Sequence, residues 1–171
     1  GVETRRLFIE EIGLSDEGWF TDPDDLAIGS LFKLYPWEWL LREPFAENIP
    51  GSNCHFIEPA WKSVLSNKGL LPLLWERFPG HPNLLPAVFA DDPAAADFAE
   101  PYVRKPIYSR EGWNVEIVGA PGGASISEPG PYGDEGHILQ AYHPLPDFDG
   151  QRPMCGVWLV ASAAAGMCVR E

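Results

Sequence analysis

Hydrophobic and polar positions change their rhythm about halfway along the chain. Residues 7–14, with the run Leu7-Phe8-Ile9-Glu10-Glu11-Ile12, read as a strand followed by an Asp- and Gly-rich turn region from Ser15 to Asp25. Leu26 to Leu41 is apolar on all sides and is interrupted at Pro36. Pro fits the first turn of a helix, so Pro36 to Arg42 reads as a short helix closed by Pro44. Phe56-Ile57-Glu58 reads as a short buried strand and Pro59 to Leu65 as a helical turn. Asn67 to Phe78 carries Leu70, Leu71, Leu74, Trp75 and Phe78 at helical spacing, which predicts a helix.

After Pro86 the pattern becomes short apolar segments between Gly/Pro turns. Tyr102–Ile107, Asn114–Val118, Ala124–Ser127, His137–His143 and Cys155–Ala161 read as strands. Ser162 to Gly166 reads as a hairpin tip and Met167 to Arg170 as the returning strand. The expected fold class is α+β, with a mixed first half (residues 1–86) and a mainly antiparallel second half (residues 87–171). Eighteen Pro and 17 Gly among 171 residues exclude a simple helical bundle. The chain starts at Gly1 close to one strand-like stretch and stops at Glu171 just after another. The expectation is a piece of a longer protein.

Composition narrows the partners. The net charge of −13 comes without a cluster of Lys or Arg that could neutralise a nucleic-acid backbone, so a nucleic-acid partner is excluded. No apolar run is long enough to span a membrane as a helix. Cys54, Cys155 and Cys168 lack metal-ligand spacing, and a reducing cytoplasmic location is expected. The four histidines show no HExxH, and GxSxG, GxGxxG and the Walker signature are all missing. Asp24-Asp25 and Asp91-Asp92 read as solvated faces, and the tryptophans of Pro36-Trp37-Glu38-Trp39 as core.

Candidate chemistry falls to the few basic residues. There are only four lysines. Lys68 and Lys105 stand in apolar surroundings, where an ammonium is costly to desolvate unless something pairs it. Beside Lys105, Ser109-Arg110-Glu111-Gly112-Trp113-Asn114 is a polar turn whose backbone amides could hold phosphate oxygens. The strand from His137 to His143 has polar members able to rim a purine. Arg170, at the end of the last strand, could clamp a phosphate or carboxylate. Each of these also has a plainer reading as a surface or strand residue.

Taken in order, these segments resemble one family. Phe32-Lys33-Leu34-Tyr35-Pro36-Trp37-Glu38-Trp39, Ile57-Glu58-Pro59-Ala60-Trp61-Lys62 and Leu65-Ser66-Asn67-Lys68-Gly69-Leu70-Leu71-Pro72 carry the first part of the likeness. Phe78-Pro79-Gly80-His81-Pro82-Asn83, Arg104-Lys105-Pro106, Ser109-Arg110-Glu111-Gly112 and Gly130-Pro131-Tyr132-Gly133 continue it. The whole is similar to the glutathionylspermidine synthases, most closely to stand-alone synthetase-like members without an amidase domain.

That resemblance implies an ATP-grasp-like fold, residues 1–171 being part of a two-lobed synthetase domain. It implies an ATP- and Mg²⁺-dependent ligase that joins a small carboxylate to an amine through an acyl phosphate, with glutathione- or polyamine-like substrates. Lys68 and Lys105 would contact the nucleotide phosphates and Gly112 would approach them by its backbone. Gln140, Ala141, Tyr142 and His143 would hold the adenine. Arg110 and Arg170 would act near the transferred phosphoryl group or the acyl substrate. The family's Arg-x-Asp and Glu-x-Asn metal ligands have no counterpart here and are expected upstream, in the missing N-terminal half of the same domain. The chain alone is therefore expected to be inactive. A degenerate nucleotide-binding or structural subunit, and a module that binds a polyamine or peptide without ATP, are the competing readings.

Overall fold

A computed structural model of the chain describes residues 1, 3–120 and 127–170. The first half is built from small pieces around an aromatic core. Ile9–Glu11 is a 3-10 turn, followed by β1 (Gly13–Leu14) and β2 (Phe20–Thr21), which pair antiparallel. The strand expected over 7–14 is therefore mostly absent. Glu11 accepts the Phe8 amide on its carboxylate at 2.7 Å, and its own amide bonds Phe8 O at 3.1 Å. With three residues per turn, Ile9 and Ile12 then fall on one side and both pack on the core.

β3 (Ser30–Phe32) pairs in parallel with β4 (His55–Ile57), and between them lie α1 (Trp37–Leu40) and a 3-10 segment, Pro44–Gly51. The expected helix is present. Pro44, however, opens that segment rather than merely ending a helix, in keeping with its fixed φ. Phe20, Trp37, Leu40 and Phe56 form the buried centre, ringed by partly buried residues such as Leu31, Phe45 and Ile49. Phe20 meets Phe45 and Phe56 edge to face, with ring centroids 5.9 Å apart in both pairs.

Ala60–Lys62 and α2 (Ser63–Ser66) make the expected helical turn, and α3 (Leu70–Arg77) is the helix foreseen from its leucine spacing. The second half is a four-stranded antiparallel sheet in the order β5 (Ala87–Phe89), β8 (His137–Ala141), β6 (Tyr102–Pro106), β7 (Glu116–Val118). α3 packs against β5. Ile138 and Pro106, on the two central strands, are the fully buried large side chains. Of the segment 124–127, residues 124–126 lie outside the described residues, and Ser127 is in no strand.

β9 (Met154–Val160) and β10 (Ala163–Arg170) form a hairpin that pairs with no other described strand. Its tip is Ala161-Ser162, not residues 162–166 as the sequence suggested. Both residues hold positive φ (48° and 68°), the pattern of a two-residue turn that matches strand twist. The register slips between Ala164 and Gly166, so the glycine serves an irregularity within the strand and not the turn. Apolar side chains of this hairpin stay exposed, Trp158 at 67% and Leu159 at 68%.

Packing predicts a sharp contrast. Phe56→Ala should cost about 3–5 kcal/mol by cavity formation. Trp158→Ala should change stability by no more than about 0.5 kcal/mol. Urea denaturation of both variants checks this, and comparable losses would contradict the placement of the core.

Candidate functional site

The strand β6 places Lys105. In the antiparallel ladder Lys105 faces Ile138 of β8, and Gln140 lies two residues further along on the same face. The Lys105 ammonium donates to Gln140 Oε1 at 2.7 Å, and Gln140 is itself buried. Lys105 has no salt bridge to a carboxylate among the described residues. Burial alone pushes its pKa below the ordinary lysine value.

Lys68 comes from the segment just before α3. Its backbone amide donates to Ile107 O at 2.9 Å, tying the start of α3 to the end of β6. Its ammonium donates to Ser109 O at 2.9 Å and to Ser109 Oγ at 2.8 Å. Its pKa is depressed first by burial, then by the nearby charges of Lys105 and Arg110, with Glu38 opposing. The next residue, Gly69, is buried and closely surrounded. A Cβ there would lie 3.0 Å from Asn67 Oδ1 and 3.5 Å from the Phe89 ring.

The turn 109–114 follows directly. Glu111, Gly112 and Asn114 all take positive φ (54°, 78° and 56°). Trp113 N–H donates to Arg110 O at 3.0 Å and Val115 N–H to Gly112 O at 3.1 Å. Asn114 N–H reaches Glu128 O at 2.7 Å, and its side-chain oxygen accepts the Tyr132 amide at 3.2 Å. At Gly112 a Cβ would meet nothing within 4 Å, so this stretch of backbone is open to an approaching ligand.

α1 holds the turn from its far side. Arg110 donates to Glu38 Oε1 at 2.8 Å, and the Glu38 side chain is only 6% exposed. Its second oxygen is buried without a hydrogen-bond partner among the described residues. Trp39 stacks on Tyr132 (6.5 Å, 13°), and Tyr132 contacts Trp113 at 6.2 Å. Arg42 pairs with Glu135. Lys33 completes the group. Its ammonium sits 4.4 Å from the centroid of the Trp37 ring and donates to Tyr35 O at 3.2 Å. Burial lowers its pKa, with Glu58 and Glu38 opposing.

The structure therefore brings Lys68, Lys105, Arg110, Gly112 and Gln140 into one neighbourhood. Ala141 ends β8, where its amide donates to Pro86 O at 2.9 Å, and the Tyr142 amide donates to Pro101 O at 3.1 Å. His143 is exposed beyond the strand. A purine read by this stretch would meet carbonyls and side chains sooner than the amides of residues 141 and 142. Arg170 is exposed at the end of the β9–β10 hairpin, opposite Met154. Sequence reasoning overlooked Glu38 and gave Lys33 and Tyr132 no role. Its signal was a charged residue between two tryptophans, in a segment noted for the tryptophans alone. Beside the cluster, a hollow of about 470 Å³ is lined by Phe89, Asp91, Asp92, Ile107, Glu135, Gly136 and His137. No helix among the described residues is long and apolar enough to cross a membrane.

Comparison with known proteins decides the family. Residues 1–171 match the family model described as glutathionylspermidine synthase preATP-grasp. The chain belongs to the glutathionylspermidine synthase family. It is 42% identical over 177 residues to a Haemophilus influenzae protein whose name proposes an acid–amine ligase, covering all of this chain and 45% of that protein. It is 27% identical over 189 residues to the trypanothione synthetase of Crithidia fasciculata, covering 96% of this chain and 28% of that enzyme. Against the bifunctional glutathionylspermidine synthetase/amidase of Escherichia coli it is 26% identical over 194 residues, covering 99% and 31%. The chain thus spans less than half the length of these relatives.

In this chain the partly desolvated lysines tie stability to pH. Their folded pKa values lie below the unfolded lysine value near 10.4, so the unfolded chain holds more protons in the alkaline range. Stability should rise as pH climbs from the depressed folded values toward that limit. Lys105→Met should flatten the rise, as urea midpoints across the alkaline range would show. An unchanged slope would contradict the burial of this ammonium.

Proposed function

We propose that the chain is part of an ATP-dependent carboxylate–amine ligase and supplies the residues that grip the nucleotide phosphates. The observation that carries this reading is a pair of desolvated ammonium groups, Lys68 and Lys105, bonded to neutral oxygens beside a turn of open backbone at Gly112. Ammonium groups held this way favour a polyanion, because its charge offsets the desolvation that protein oxygens only partly relieve.

Lys68 and Lys105 would bind the phosphate chain, and the Gly112 backbone would close over it. Arg110 would meet the transferring phosphoryl group, with Arg170 brought to the same reaction from the hairpin. Gln140 to His143 would rim the adenine. A carboxylate oxygen attacks the terminal phosphorus, the bond to the bridging oxygen breaks, and ADP leaves with that electron pair. The amine then attacks the acyl carbon, phosphate departs, and the amine proton passes to solvent. Throughout, fixed positive groups offset the negative charge gathered where two anions meet.

Mg²⁺ does not fit the donors at hand. No three His, Cys, Asp or Glu residues gather into a cation site among the described residues, and Glu38 is held by Arg110. Names of relatives support the substrate class, glutathione- and polyamine-like molecules. The acidic balance of the chain, with Asp91 and Asp92 beside the adjacent hollow, favours a cationic amine.

We read the chain as an ATP-grasp-like lobe of a larger unit; the surface area bears on the larger unit alone. The chain exposes 12,309 Å². A compact protein of 18.9 kDa would expose only about 8,300 Å². An excess of this kind favours covering of part of this surface by other chain.

Calorimetric titration with a non-hydrolysable ATP analogue tests the reading. Saturable binding is expected, weakened about 10- to 100-fold by Lys68→Met or Lys105→Met. Absence of binding at millimolar analogue would favour the structural-subunit reading. Binding indifferent to both substitutions would remove the lysines from the nucleotide site.

A further inference from the structure

Glu38 is the carboxylate that bonds Arg110 and favours the charged form of Lys68, and its neighbour in α1 reaches the same turn. One oxygen holds Arg110 across 72 positions of sequence. The next residue in the chain, Trp39, stacks on Tyr132, which in turn contacts Trp113. Two adjacent residues of α1 therefore hold both shoulders of the turn 109–114, Arg110 on one side and Trp113 on the other. Lys68 fixes the turn's first residue, Ser109, independently. Between these anchors lie Glu111 and Gly112, the backbone left open.

We infer that Glu38 is a positioning residue for nucleotide binding: it sets the turn 109–114, and with it the Gly112 backbone and the Arg110 guanidinium, in the orientation that receives phosphate. This deepens the proposed function and rests on it. Glu38 also acts on the charge of the site. The charged groups facing Lys68 are Lys105 from β6 and Arg110 from the turn, both of which disfavour its protonated form, and Glu38 from α1, which favours it. Lys33, which faces Glu38, Glu58 and Arg110, adds a further desolvated cation to the group.

The two effects of removing this carboxylate differ in sign, which makes the inference testable. Loss of a negative charge beside a phosphate site would, by field alone, tighten nucleotide binding. Loss of the turn's anchor would weaken it. Positioning dominates in this account, because the Arg110 contact is a short charge-assisted bond made by a nearly buried carboxylate.

The experiment measures affinity for a non-hydrolysable ATP analogue as a function of pH in the complete polypeptide, wild type against Glu38→Gln. Affinity in the variant should fall about tenfold. The alkaline limb of its pH profile, where Lys68 loses its proton, should move to lower pH. Limited trypsin digestion should show faster cleavage after Arg110 while other Lys and Arg sites keep their wild-type rates.

Equal or tighter binding by Glu38→Gln, or an unmoved alkaline limb, overturns the inference and leaves the proposed function standing. Failure of the wild type to bind nucleotide overturns both. If trypsin cuts every site faster, the variant has lost its fold and Glu38→Asp takes its place. That variant keeps the charge but falls one methylene short of Arg110. It should bind more weakly with the alkaline limb unmoved, and wild-type affinity in Glu38→Asp overturns the inference.

Discussion

Two half-buried ammonium groups, each held by neutral oxygens, lie at the junction of this protein's packing centres. Lys105 rests on the Gln140 amide and Lys68 on Ser109, and burial lowers the pKa of both. A buried cation ordinarily acquires a carboxylate, since an uncompensated charge in a low-dielectric setting is expensive. In a chain with 25 acidic residues, partners of that kind are abundant. That these two lysines meet none in a salt bridge among the described residues gives the surrounding geometry its meaning. The sheet holds one lysine, the approach to α3 holds the other, and the turn 109–114 lies against them.

Two packing centres meet at that point. An aromatic core around Phe20, Trp37, Leu40 and Phe56 fixes α1, and Ile138 with its neighbours fixes the sheet. The links between them are polar or edge-exposed: Arg110 to Glu38, Arg42 to Glu135, and the ring series Trp39, Tyr132, Trp113. Such links order a turn without burying it, so the open backbone at Gly112 stays accessible while its shoulders are held. The β9–β10 hairpin takes no part in either centre, and its exposed apolar residues account for some of the chain's excess surface.

Elements defined by local chemistry were legible in the sequence. The leucine spacing of α3, Pro36 at the start of α1, and the alternating segments that become β6, β7 and β8 all followed from periodicity and breaker residues. β5 gave no such signal, because a three-residue strand offers too few positions for a period to show. The run Leu7 to Ile12 misled because Ile9 and Ile12 fit a 3-10 turn as well as a strand, and Glu11 tipped the balance by bonding the Phe8 amide. Gly166 carries the composition of a turn residue, but the left-handed positions fall on Ala161 and Ser162. At the site, resemblance singled out Lys68, Lys105, Arg110 and Gly112, and the structure brings them together. Glu38 stayed hidden because its partner lies 72 residues away, a pairing that neither spacing nor composition reveals.

The central claim is that the paired lysines and the Gly112 turn form the phosphate site of a nucleotide-using ligase. A crystal structure of the complete polypeptide with a non-hydrolysable ATP analogue tests it most directly. The account predicts phosphate oxygens within hydrogen-bond distance of Lys68 Nζ, Lys105 Nζ and the Gly112 amide. A triphosphate bound elsewhere, with Lys68 still on Ser109 and Lys105 still on Gln140 and no phosphate contact to either, would contradict it.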